Sequence, residues 1–194
     1  LEINKDLTLM SHFVFDNDES HIDNTIISGA SVYNTIDITQ SDIDLNIVGL
    51  SIIESANHGI YASNDYTQDI GLFIRYSKVF NNIGSGMNFY NSFHHRNIKL
   101  GISHSSFYQN SGWGLAMDYI SGYIEADLDN VKIYGNQEGG ITCQTDNTIC
   151  ESNSWKISNS EFFNHTHRVV SVLNGNNSQL EINNSLIYNN TYSN

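Results

Sequence analysis

The chain has 194 residues, of which 21 are acidic and 8 are Lys or Arg, giving a net charge of −13. A chain this acidic lacks the basic stripe that phosphate binding demands, so nucleic acid is not an expected partner. No apolar run approaches the roughly 20 residues of a membrane span, and the complete absence of proline suits unbroken hydrogen-bonded strands.

In chain order, residues 1–42 are the least regular, although "DLTLMSHFVF" and "NTIISGASVYNTIDI" suggest one or two coils of a larger repeat. From residue 43 a period of 25–29 residues runs through six copies. Each copy holds an apolar anchor, at Ile52, Val79, Phe107, Ile133, Phe162 and Ile187. Three residues after each anchor stand Ser55, Asn82, Asn110, Asn136, His165 and Asn190. Nine, seven and five residues before the anchors lie alternating apolar triplets: Ile43-Leu45-Ile47, Ile70-Leu72-Ile74, Ile98-Leu100-Ile102 and Ile124-Ala126-Leu128. The fifth repeat keeps Trp155 and Ile157, and the sixth keeps Leu180 and Ile182. A spacing of two is the strand period, in which alternate side chains share one face. Four residues beyond the Asn column stand Gly59, Gly86, Gly114 and Gly140, replaced in the last two repeats by Val169 and Asn194.

A unit this short cannot bury a core alone, so the repeat predicts a solenoid. Three short strands per repeat, stacked about 4.8 Å apart, make an all-β right-handed parallel β-helix of about seven coils. An antiparallel sandwich is the rival, but it does not explain a phase kept through six copies. The expected domain organisation is one β-helix segment over 1–194, with irregular first coils over 1–42 and regular repeats over 43–194, cut from a longer chain. Inside, Ile is expected to stack on Leu on Ile, with Phe80, Phe107 and Phe162 filling wider layers. Asn130, Asn159 and Asn184, three residues before their anchors, read as a turn-stabilising ladder, because Asn tolerates left-handed turns and hydrogen-bonds along a stack. Neither end carries a recognisable capping helix, which invites self-association through uncapped coils.

Cys143 and Cys150 bracket a polar loop, "CQTDNTIC". A disulfide there would contribute roughly 2.5 kcal/mol by loop closure and would place the chain in an oxidising, extracellular setting; a reduced buried pair is the alternative. Asn164, Asn176, Asn183 and Asn189 each open an Asn-x-Ser/Thr sequon, so a glycoprotein is permitted.

Candidate chemistry sits between the apolar triplets, on the outward positions: Asp44, Asn46, Gly71, Phe73, Lys99, Gly101, Glu125, Asp127, Lys156 and Glu181, with Arg75 and Asp129 one step further. Glu125, Asp127 and Asp129 would place three carboxylates on one coil, a set that could hold Ca²⁺, with Lys99, Lys156 or Arg75 as the base of a lyase. The plainer reading is a cross-strand charge ladder, Lys99 over Glu125 and Asp127 over Lys156, contributing about 0.2–1 kcal/mol per pair. His94, His95 and Arg96 read as a polar turn rather than a zinc site. Trp113, Tyr108 and Tyr119, near turns, are candidates for stacking on sugar rings or forming a protein-binding patch, unless they pack between coils.

The pattern SxFxxNxxxGI, carried best by "SSFYQNSGWGL" and "VKIYGNQEGGI", resembles the parallel β-helix repeat of pectate-lyase-like proteins over residues 43–194. That superfamily implies one of three roles: polysaccharide lyases, hydrolases and epimerases; bacterial surface adhesins, whose short elements "FYQN" and "GGIT" resemble; or large animal cell-surface proteins with β-helix ectodomains of the bark beetle type. The Cys-bracketed loop is most similar to the last. The expected function is therefore a non-catalytic extracellular or cell-surface scaffold for adhesion, binding a protein partner or a polysaccharide and needing no cofactor. A Ca²⁺-dependent polysaccharide lyase, or a related carbohydrate-active enzyme acting in a groove on the β-helix, is the alternative.

Overall fold

In the computed structural model, which describes residues 1–31, 33–39, 42–63, 69–90, 97–118, 122–144, 152–172 and 177–191, the chain is a parallel β-solenoid. Each coil visits three sheets in turn, and among the described residues each sheet holds seven strands. The second sheet, which carries the candidate site, runs through Leu7–Met10, Ile43–Val48, Ile70–Arg75, Asn97–Ser103, Tyr123–Asp129, Ser152–Ser158 and Gln179–Asn183. All its neighbours are parallel, each strand pairing with the strand one repeat away.

The register follows the sequence repeat residue for residue. Ile27, Ile52, Val79, Phe107, Ile133, Phe162 and Ile187 form one continuous column in the third sheet. All the members from Ile52 to Phe162 are fully buried. In the second sheet like stacks on like, not Ile on Leu: Ile43 on Ile70 on Ile98 on Ile124, and Leu45 on Leu72 on Leu100. The reason is that the pairing carries no slip, so each position meets its own equivalent one coil away. The column changes where size demands it. Ala126 stands beside Trp155, the small side chain making room for the large one inside the same layer.

Phe80 is a correction to the expected wider layers. It lies one residue past the anchor and therefore faces outward, where it begins a stack of rings with Tyr108, Tyr134, Phe163 and Tyr188. The centroids are 4.6–5.0 Å apart and the rings are tilted by no more than 8° from parallel. Each stacked pair contributes about 0.5–1.5 kcal/mol beyond its buried area.

The turns have their own columns. Two residues after the anchors, Glu54, Asn81, Gln109, Gly135, Asn164 and Asn189 are all left-handed. Three residues before them, so are Gly49, Tyr76, His104, Asn130, Asn159 and Asn184. Asn184 Nδ2 donates to Asn159 Oδ1 at 2.6 Å, and Asn159 Nδ2 donates to Asp129 Oδ1 at 2.7 Å. A second, buried ladder lies three residues after the anchors, where Asn136, Asn110 and Asn82 are linked side chain to side chain. A serine ladder stands beside the exposed turn column: Ser77, Ser105, Ser160 and Ser185 each accept a backbone N–H from one coil and donate to a carbonyl of their own. These bonds satisfy turn groups that the sheets leave over, which buried backbone requires.

The segment before residue 43 supplies strands to all three sheets but is interrupted by a helical insertion. After Leu7–Met10 the chain forms two short helices, Phe13–Asp16 and Ser20–Asn24, before the coil resumes at Ile26–Ser28. Phe13 and Ile22 are their buried residues, and the left-handed Asn17 reverses the chain between them.

His58, in a turn that leads into the first sheet, is held neutral by its surroundings. Its Nδ1 accepts the Ser85 N–H at 3.0 Å, and its ring stacks on Tyr61 at 5.4 Å. Burial pulls the imidazole down from 6.5 to about 4. Because the folded value lies below the unfolded one, stability from this group is complete above pH 6.5 and is lost as pH falls from there toward about 4. The group is partly solvated, which screens the effect. Acidification from about pH 7.5 to about pH 4.5 is expected to destabilise the wild type by about 1–2 kcal/mol more than His58→Asn in urea unfolding. Equal pH dependence of the two proteins would count against this role.

Candidate functional site

Along the outer face of the second sheet three columns of side chains alternate with the core columns. The first holds Asp44, Gly71, Lys99, Glu125 and Ser154; the second Asn46, Phe73, Gly101, Asp127 and Lys156; the third Val48, Arg75, Ser103, Asp129 and Ser158. Two glycines among larger neighbours leave a hollow. A Cβ added at Gly101 would lie 2.8 Å from Phe73 Cδ1, and one at Gly71 would lie 3.1 Å from Phe73 Cε2. The Phe73 ring therefore lies against Gly101 and reaches Gly71, whose open side the Asp44 carboxylate covers, and it lines a groove of about 470 Å³. Asp44 and Asn46 line one side, Asp127 and Asp129 the other, with Arg75 and Ser103 along its edge. A second hollow of about 380 Å³, lined by Asp44, Asp69, Asn97, Lys99, Tyr123 and Glu125, continues from it through the shared Asp44.

The electrostatics are those of an open, acidic surface. Asp129 accepts from Asn159 Nδ2 and from Ser158 Oγ, the latter at 3.0 Å, and these bonds, the Asn159 one foremost, hold its carboxyl below the usual carboxylate range. Asp69 accepts both the backbone and side-chain N–H of Asn97, at 3.1 and 3.0 Å. Lys99 stands opposite Glu125, and Asp127 opposite Lys156, in the strand register. Neither pair closes to an ion pair. Among the described residues, the Lys–carboxylate pairs that do close are Lys78–Asp23 and Lys132–Glu161, away from this face. The charged groups of the groove are thus free of one another and available to a ligand.

The structure brings Arg75, Asp127 and Asp129 into one groove and Lys99 and Glu125 into its continuation. It does not gather the three carboxylates. They sit on alternate residues of one strand, roughly 6.6 Å apart along it. Among the described residues, the one group of three ligand atoms within 4.8 Å of each other lies elsewhere, on the helical insertion. Ca²⁺ takes six to eight oxygens at 2.3–2.6 Å, and these donors do not fit such a cage.

The aromatic candidates divide differently. Tyr108 lies within the ring stack; burial, then Tyr134 and Asp23 beside it, pushes its hydroxyl up to about 12. Trp113 is half-buried on the first sheet, its ring seated on Gly139, where an added Cβ would fall 2.4 Å from Trp113 Cζ3. Both are packed between coils. Tyr119 lies outside the described residues, as do His94, His95 and Arg96. Cys143 is buried in the core opposite Met117, and Cys150 lies outside the described residues. Phe73 is the aromatic that the sequence reading passed over as a binding residue. Its signal is legible afterwards: an outward aromatic with glycine beside it in its own strand and glycine in its own column one coil later.

Comparison with models of protein families, with curated proteins and with solved structures yields no match.

Proposed function

We propose that the protein is a non-catalytic extracellular scaffold whose second sheet binds a saccharide chain along the Phe73 groove. The observation that carries this reading is the Phe73 ring seated against Gly101 in the groove, rimmed by Asp44, Asn46, Asp127, Asp129 and Arg75. A sugar ring offers an apolar C–H face to an aromatic and hydroxyls to carboxylates and amides at the edges, which is what this arrangement supplies. Strand repetition extends the groove across successive coils, which suits a linear chain. The excess of carboxylates over cations repels polyuronates and favours neutral or amino-bearing saccharides. Adhesion then follows from many weak contacts along the solenoid rather than from one deep pocket.

The test is titration of neutral, amino-bearing and uronic oligosaccharides into wild type and Phe73→Ala, with product analysis for cleavage. Phe73→Ala is expected to weaken binding of the neutral or amino-bearing chains about tenfold, or about 1.4 kcal/mol, without any cleavage in either protein. Undiminished binding by Phe73→Ala, preference for polyuronate, or chain cleavage would each overturn the reading.

A further inference from the structure

The helical insertion of the first coil carries a group that the groove does not use. Asp16 Oδ2 lies 3.1 Å from His12 Nδ1 and 3.1 Å from His21 Nε2. All three ligand atoms fall within 4.8 Å of one another, and the two imidazole centroids are 5.0 Å apart. The local chain explains the convergence. His12 and Asp16 are one helical turn apart, so their side chains share a face. The left-handed Asn17 then turns the chain back, bringing His21 to the same carboxylate from the second helix. Asp16 Oδ1 accepts the Asp18 N–H at 3.0 Å, which fixes the carboxylate plane and leaves Oδ2 toward both imidazoles.

The platform is anchored to the solenoid on both sides. Phe13 and Ile22 are buried, Ser51 Oγ donates to the Ile22 carbonyl at 2.9 Å, and Lys78 pairs with Asp23. Both imidazole–carboxylate separations, 3.1 Å each, lie close to the edge of a small tetrahedral shell: with metal–ligand bonds of about 2.0–2.1 Å, neighbouring ligands stand about 3.3 Å apart. Two imidazoles and one carboxylate select a zinc-type transition metal rather than Ca²⁺ or Mg²⁺, which take oxygen ligands.

We propose that His12, Asp16 and His21 bind one divalent transition-metal ion of the zinc type, with a fourth position open to water or to a donor from another molecule. The metal replaces the two imidazole–carboxylate hydrogen bonds, locks the two helices to each other, and presents an exchangeable coordination position at the solvent-facing side of the insertion. It is independent of the saccharide groove.

The test uses the full chain without an affinity tag, titrated with Zn²⁺ by calorimetry and with Co²⁺ followed by visible absorption, alongside Asp16→Ala, His21→Ala and Phe73→Ala. One Zn²⁺ per chain is expected in the wild type and in Phe73→Ala, with binding weakened more than about tenfold by loss of either ligand. The d–d absorption of tetrahedral Co²⁺ should appear in the wild type and vanish in His21→Ala. His12 and Asp16 are exposed and His21 is half-buried, so the variants should keep the circular dichroism of the wild type. Folded variants that bind Zn²⁺ as the wild type does would place the ion at other histidines and overturn the proposal. So would the absence of saturable binding in the wild type.

Discussion

Asn110→Ala is expected to remove about 3–5 kcal/mol of stability, enough to abolish cooperative folding of the middle coils. Asn110 is fully buried in the inner ladder. Its Oδ1 accepts both the backbone N–H and the side-chain N–H of Asn82, at 3.1 and 2.9 Å. Its Nδ2 donates to the Val79 carbonyl at 3.2 Å and to Asn136 Oδ1 at 3.0 Å. Alanine leaves the Asn82 backbone N–H and one of its side-chain N–H groups with no acceptor in a space closed to water, each costing about 1–3 kcal/mol, and adds a cavity. Because each coil contacts only its neighbours, the damage falls on the interfaces flanking Asn110. Asn190, partly exposed in the last coil, makes two ladder bonds, and its replacement by Ala should cost only about 1 kcal/mol. Urea unfolding checks both; a loss at Asn110 no larger than that at Asn190 would show that the ladder is not what holds the turn.

Gly114→Val is expected to cost about 3 kcal/mol, because a side chain there would press into the next coil. An added Cβ at Gly114 would lie 2.5 Å from Ile133 Cγ2, 2.8 Å from the Gly140 carbonyl oxygen and 3.0 Å from Asn136 Nδ2. The last two are ladder and backbone atoms that cannot rotate away. Gly135 is the contrasting case. Its φ is +62°, but its nearest foreign atom is 3.9 Å from a Cβ, and the same column holds Asn81, Asn164 and Asn189. Gly135→Asn should therefore change stability by less than about 0.5 kcal/mol. Thermal melts of the two variants decide the point, and similar losses would mean that backbone conformation rather than coil spacing selects glycine here.

The solenoid was legible because a strand period of two and a repeat of constant phase are the same physical fact seen at two scales. Val79, Phe107 and Ile133 could be aligned by counting, and parallel pairing without slip then stacks them. Side-chain type within a column was harder to foresee. Phe80 and Tyr108 follow an inward anchor and so face outward, where rings gain by stacking on each other rather than by entering the core. The two helices were missed because "HFVF" carries a strand-like composition, and only the left-handed Asn17 and the burial of Phe13 and Ile22 decide otherwise. The outer face of the second sheet was placed correctly as a set of columns. Which of its members line the groove depended on a tertiary event, the Phe73 ring settling against Gly101 of the next coil. The His12–Asp16–His21 cluster on the insertion was beyond reach for the same reason: His12 and His21 meet only after the chain reverses.

The most direct test of the saccharide groove is a map of backbone amide shifts in isotope-labelled protein on addition of the tightest-binding neutral or amino-bearing oligosaccharide. Shifts concentrated at Gly71, Phe73, Gly101 and Asp127, and lost in Phe73→Ala, are the predicted result. Shifts confined to the first or third sheet, or a map unchanged in Phe73→Ala, would contradict it.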